Sequence, residues 1–184
     1  MPTLIVPIGF SGSGKTTYYN RYYTENSIYI SKDNLRIQYL HDVNDQSQNK
    51  RIAIMSNQLL IKTIENNIAS DVCIYYDNIN VGILSTIKKL MRDYPSLNVK
   101  IVLFMDSLKP QLRIQRIQND LNNGVVRANT VDVIAENYEN EIKMFKSNYN
   151  SVLRYYSQVE DPDIIERLKV VKFQNNKPFT LYRK

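Results

Sequence analysis

A chain of 184 residues with 43% apolar and 23% charged residues has the size and composition of one globular domain with its own core, not of a disordered segment. One cysteine and one histidine exclude an intrachain disulfide, a cysteine-rich zinc site and a two-histidine metal site, and no apolar run nears the roughly 20 residues that span a bilayer. The 24 Lys and Arg against 18 Asp and Glu leave a net charge of +6, which favours an anionic partner without naming it.

Met1 to Leu4 has neither the basic region nor the cleavage site of a secretory signal, so a cytoplasmic, reducing setting without membrane attachment is expected. Leu4 to Ile8 predicts a buried strand, with Pro7 out of character for a central one. Gly9 to Gly14 predicts a turn, and Lys15 to about Asn26 a helix. Ile28 to Ile30 predicts a second strand, Asp33 to Leu40 a helix, His41 to Asn49 a polar loop, and Arg51 to Ala69 a helix with apolar residues at helical spacing. Val72 to Tyr76 predicts a third strand. Val81 to Tyr94 follows as a helix stopped by Pro95. Val99 to Met105 is the clearest strand. Lys109 to Leu121 predicts a polar helix, Asn122-Asn123-Gly124 a turn, and Thr130 to about Tyr156 one or two helices. Val170 to Phe173 predicts a fifth strand, followed by a basic tail.

Strand alternating with helix predicts an α/β fold: a single domain over residues 1–184, with a parallel five-stranded sheet flanked by helices. In such a sheet the ligand lies beyond the carboxyl ends of the strands. Those ends are Gly9, Ser31, Asp77 and Asp106 onward. Tyr18-Tyr19 and Tyr22-Tyr23 recur at i, i+4, and the pair on the inner face of the first helix is expected to pack it against the sheet, with stacking on single-stranded bases as the alternative; Cys73 is expected to be a core residue.

Three of the five glycines, Gly9, Gly12 and Gly14, fall within Gly9-Phe10-Ser11-Gly12-Ser13-Gly14-Lys15-Thr16, which matches G-x-x-x-x-G-K-[ST] at every required place. Glycines let backbone N–H groups converge on phosphate oxygens, and the helix that begins there adds its positive end. Lys15 would reach the β- and γ-phosphates, the Thr16 hydroxyl would ligate Mg²⁺, and Thr17 could donate to the α-phosphate. ATP with Mg²⁺ is therefore expected, with Ser11 and Ser13 among the loop residues that line the site. The motif leaves the phosphate acceptor open.

Ser31-Lys32-Asp33-Asn34-Leu35-Arg36 follows the second strand, next to the loop in a parallel sheet. Asp33 there could take a proton from an acceptor hydroxyl, and Arg36, one helical turn on, could clamp a phosphate of the acceptor. The same residues also suit a plain helix start, with Ser31 or Asp33 as cap and Arg36 as a surface charge. Residue types and spacing leave both readings open.

The glycine loop through Thr17, followed by Ser31 to Arg36 and by Tyr76-Asp77-Asn78-Ile79-Asn80, resembles the kinase domain of phage-type 5′-hydroxyl polynucleotide kinases. That family carries a G-x-P-G-S-G-K-S-T loop, an R-D-x-x-R element at nearly the same distance, and a strand-end D-x-N. The likeness runs roughly from Met1 to Tyr149. It implies a P-loop kinase fold with a helical lid at about 110–130, and ATP-dependent phosphorylation of the 5′-hydroxyl end of DNA or RNA in nucleic-acid end repair. Asp33 would be the general base, Arg36 would hold the phosphate beside the acceptor nucleotide, and Asp77 would support the metal or orient the site. Lys32 stands where the family has Arg, which keeps the charge. A lid arginine is implied too, with Arg113, Arg116 and Arg127 as candidates and Arg116 preferred for catalysis, Arg127 for substrate contact. No D-x-D-G-T string occurs, so any 3′-phosphatase step is expected to need another polypeptide. Beside this stand a kinase for a small acceptor, such as a nucleoside, a nucleotide or an antibiotic, and a nucleotide-binding switch with no acceptor.

Overall fold

The computed structural model describes residues 1–77, 82–125 and 131–182. Its strands are β1 (Thr3–Ile8), β2 (Ser27–Ser31), β3 (Cys73–Asp77), β4 (Asn98–Phe104), β5 (Leu168–Gln174) and β6 (Lys177–Thr180), in the sheet order β2-β3-β1-β4-β5-β6. The first five are parallel, and β6 returns antiparallel to β5. The expected five-stranded parallel sheet is thus a mixed sheet of six. The basic tail supplies the sixth strand because Asn175 and Asn176 hold φ of 50° and 60°, the left-handed pair that a two-residue hairpin needs. Every residue of β6 is exposed, so no apolar alternation announces it in the sequence.

Pro7 sits in the central strand without breaking it. The Thr3 N–H donates to the Val72 carbonyl, so odd-numbered positions of β1 turn toward β3. The register with β3 ends at Ile5 opposite Tyr75, whereas that with β4 continues to Ile8 opposite Leu103. The missing N–H of Pro7 therefore falls beyond the ladder it would have served.

The helices are α1 (Lys15–Tyr22), α2 (Lys32–Leu40), α3 (Asn49–Asn66), α4 (Ile83–Asp93), α5 (Pro110–Asn122), α6 (Val131–Gln158) and α7 (Pro162–Arg167), with a 3₁₀ turn over Met105–Leu108. α1 is shorter than its predicted span, and the segment from Val131 is one helix. α7 was not among the predicted elements, although its signals stand in the sequence: Asp161 caps it and Pro162 takes the first turn. Gly82 opens α4 at φ 84°.

Both faces of the sheet are covered, which is why β1 and β4 read as near-continuous apolar runs, β4 broken only at Lys100. Leu4, Val6, Ile8, Ile101 and Leu103 face a large core shared with Leu60 and Ile64 of α3, Ile87 and Leu90 of α4, and Phe145 and Val152 of α6. On the other face Ile5, Tyr75, Val102, Phe104 and Phe173 pack beneath Tyr18 of α1. Cys73 is only half-buried, at the rim of a cavity of about 290 Å³ by the amino ends of the strands, and so corrects its expected place in the core. Among the described residues no helix is long and apolar enough to cross a membrane.

Candidate active site

The glycine loop joins β1 to α1 at the carboxyl edge of the sheet. Gly14 caps α1 at φ 100° with no side-chain partner, so the first amides of the helix stay open to an anion. Gly12 holds φ 76°, and a Cβ there would stand 2.7 Å from the Arg113 carbonyl. A Cβ on Gly9 would come within 2.6 Å of both Phe104 Cβ and Ser13 Oγ. Two of the glycines are thus required by close approach of the chain to itself.

The loop is braced from behind by α5 and the 3₁₀ turn. The Ser107 hydroxyl accepts from the Phe10 N–H at 3.1 Å. Arg113 Nε donates to the Ser11 carbonyl at 2.8 Å, and Arg116 Nη1 to the Gly12 carbonyl at 3.1 Å. Arg113 is fully buried and paired with Glu141, so it is part of the scaffold. Arg116 is a quarter exposed and also donates to Asp106, at 2.9 Å. Of the three lid candidates, Arg116 lies against the loop, Arg113 lies beneath it, and Arg127 lies outside the described residues. Asn78 to Asn80 of the strand-end motif lie outside them as well.

Lys15 and Asp77 meet at the ends of α1 and β3, with Nζ 3.8 Å from Oδ1. Tyr29 of β2 donates to the other Asp77 oxygen at 3.1 Å, and Tyr75 of β3 donates to the Lys15 carbonyl at 3.1 Å. Burial pushes the Asp77 carboxyl above its ordinary value, and the Lys15 charge opposes that push. The Tyr29 phenol is raised by burial and by the neighbouring Asp77.

Asp33 and Arg36 belong to the same edge, since Ser31 at the end of β2 is the register partner of Asp77. The Ser31 hydroxyl caps α2 by accepting from the Asn34 N–H at 3.1 Å, which leaves the Asp33 carboxylate available for other contacts. That carboxylate is 57% exposed and accepts from Arg36 Nη1 at 2.7 Å. Its charge bears on Asp77 and on Tyr29. Arg36 is no surface charge: it is buried, with its guanidinium turned from α2 toward Asn49 of α3. Lys32 is lowered by its burial and by the charge of Arg36.

Thr16 and Thr17 are exposed on the first turn of α1, and Ser13 is fully buried with its Oγ unpartnered among the described residues. No group of three or more His, Cys, Asp or Glu among the described residues could hold a metal by itself. Mg²⁺ in such sites takes one or two protein oxygens and completes its shell with phosphates and water. Thr16 and Asp77 match that donor set.

Sequence reasoning marked the strand end at Asp106 without giving that residue a role, and it passed over three further supports of the site: Ser107, Tyr29 and Tyr75. Those three read as ordinary strand or turn residues until the sheet brings them to Lys15 and the loop.

The sheet order, the glycine loop and the flanking helices define an α/β protein with a P-loop-type loop at the carboxyl edge of its sheet. Two of the solved structures that share this fold are the following. The structure of the Pnkp1/Rnl/Hen1 RNA repair complex matches with TM-score 0.55 at 18% identity, over 80% of this chain and 46% of that one. The structure of the PezAT chromosomal toxin–antitoxin system of the human pathogen Streptococcus pneumoniae matches with TM-score 0.57 at 13% identity, over 99% of this chain and 72% of that one. The chain therefore spans less than half of the first of these. No family model matches the sequence, and no curated protein does. Identities this low carry the fold alone.

Proposed function

We propose that this protein is a phosphotransferase that moves the γ-phosphate of ATP to the 5′-hydroxyl end of a DNA or RNA strand, as in nucleic-acid end repair. The observation that carries the reading is the Asp33–Arg36 pair: an exposed carboxylate whose charge reaches Asp77, itself beside Lys15 of the glycine loop. Binding a nucleotide needs no such carboxylate, whereas activating a hydroxyl does.

In this reading the loop amides, the α1 terminus and Lys15 hold the triphosphate. Mg²⁺, held by Thr16 and Asp77 with the phosphates, would offset charge on the β- and γ-oxygens. Asp33 accepts the proton of the 5′-hydroxyl as its oxygen attacks the γ-phosphorus, and the bond to the β–γ bridging oxygen breaks, so that ADP leaves. Arg36 holds the phosphate next to the acceptor nucleotide. Arg116, at the rim of the loop, would meet charge on the transferred group, and Arg127 is assigned to the substrate by resemblance only. Catalysis is then mostly positioning and electrostatics.

A small anionic acceptor is the second reading, favoured by the burial of Arg36, whose side chain is only 9% exposed. One assay separates the two. Purified protein with γ-labelled ATP and Mg²⁺ is offered a 5′-hydroxyl oligodeoxynucleotide, a 5′-hydroxyl oligoribonucleotide, a 3′-nucleotide and free nucleosides. Label on an oligonucleotide is the expected outcome, label on small acceptors alone selects the second reading, and label on none points to a nucleotide-binding switch. Asp33→Asn should lower turnover by about 10²–10⁴-fold and leave the ATP dissociation constant unchanged; full activity in that variant contradicts the mechanism.

A further inference from the structure

We propose that Asn49, assisted by Gln46, is a positioning residue of the acceptor site, and that it aims Arg36 at the anionic group of the acceptor; this rests on the kinase reading above. The guanidinium has five N–H donors in a fixed plane. Nη1 donates to Asp33 at 2.7 Å, and Nη2 donates to Asn49 Oδ1 at 2.7 Å and to Gln46 Oε1 at 3.3 Å. Asn49 Nδ2 in turn donates to Gln46 Oε1 at 2.6 Å, which joins the two amides into one clamp. Arg36 is 7% exposed, and its Nε is buried without a partner among the described residues. A buried charged donor left in this way matches an acceptor oxygen brought by a substrate.

Asn49 is the first residue of α3, yet its side chain does not serve its own helix: the preceding cap, Gln48, makes no side-chain cap bond, and Asn49 reaches across to α2. The segment that carries the clamp is stiffened locally. Val43 is buried, and the carboxylates of Asp42 and Asp45 accept from the N–H groups of Asn44 and Ser47, each at 2.8 Å. The chemistry of the clamp is selective as well. An amide oxygen holds the guanidinium without adding a second negative charge to the one Asp33 already sets against it. Asn49 and Gln46 are themselves exposed, so the contact adds little to the core and most to the direction of Arg36.

Asn49→Ala should raise the acceptor KM about tenfold and leave the ATP KM within about twofold, because only the acceptor meets Arg36. In protein labelled with ¹⁵N at arginine, the Arg36 Nε resonance, assigned by its loss in Arg36→Ala, should shift in Asn49→Ala. It should stay near its original position in Asn49→Asp, which still accepts from Nη2, and in the neighbouring control Lys50→Ala. An unmoved resonance in Asn49→Ala overturns the clamp, and so does an equal rise in both KM values. If the unaltered protein phosphorylates no acceptor, the kinase reading falls, while the resonance still decides whether Asn49 holds Arg36.

Discussion

Gly12 and Asp77 show how single residues set the shape and the charge around the glycine loop. At Gly12 a side chain would meet left-handed backbone strain at φ 76° and the Arg113 carbonyl at 2.7 Å together. Gly12→Ala should therefore cost about 1–3 kcal/mol of stability and displace the loop from α5. Urea unfolding and nucleotide titration would read both effects, and wild-type values in both would contradict the close approach. At Asp77 burial lifts the folded-state value above its ordinary 3.8. Between the unfolded and the raised folded value the native chain holds a proton that the unfolded chain has released, so stability falls as pH rises through that window. Asp77→Asn removes this dependence. The nucleotide-free variant should match the wild type below the unfolded value and gain on it as pH rises; a difference that is flat with pH would refute the assignment. Asp33 and Arg36 were legible in the sequence as a pair one helical turn apart, but their role was not, because a helix start suits a cap as well as a base.

Among the elements, α1 presents the end of the glycine loop on little buried support. It has eight residues, and Tyr18 is its one buried side chain. That ring lies 5.6 Å from Phe104 and 4.9 Å from Phe173, edge to face with both. These contacts seat the helix whose first turn presents Lys15 and Thr16. Tyr18→Ala should cost about 3–5 kcal/mol and weaken ATP binding, because the loop and the helix terminus move as one unit. A thermal melt and an ATP titration on the same sample test it; a stable variant with normal affinity would show that α1 is seated by something else. The elements that escaped sequence reading were β6 and α7. β6 is exposed throughout and has no apolar period, and α7 buries no residue, so neither left the pattern that marks a core-facing element.

At the scale of the whole molecule the charge of +6 becomes a measurable property of the acceptor step. With an oligonucleotide acceptor, contacts to several phosphates release counterions, so the acceptor KM should climb with the count of phosphates neutralised, by about tenfold or more between 50 and 200 mM salt. With an uncharged nucleoside it should barely move. An acceptor KM that ignores salt for the oligonucleotide would leave the basic excess as scattered solvent contacts and favour the small acceptor.

By itself the sequence determined the α/β class and the glycine loop, because both are local. Strand and helix follow from hydrophobic period, and the loop motif is one unbroken run from Gly9 to Thr16. What only the tertiary structure decided are the partners of that loop. Ser107 meets Phe10 across 97 residues, Arg113 meets Ser11 across 102, and Arg116 meets Gly12 across 104. No spacing rule reaches so far along a chain. Two arginines three apart on one helix were both lid candidates, with Arg116 preferred, and packing buries Arg113 with Glu141 and leaves Arg116 at the rim of the loop. Asn49 was one polar residue at the edge of a loop until α2 and α3 met and set its amide against Arg36.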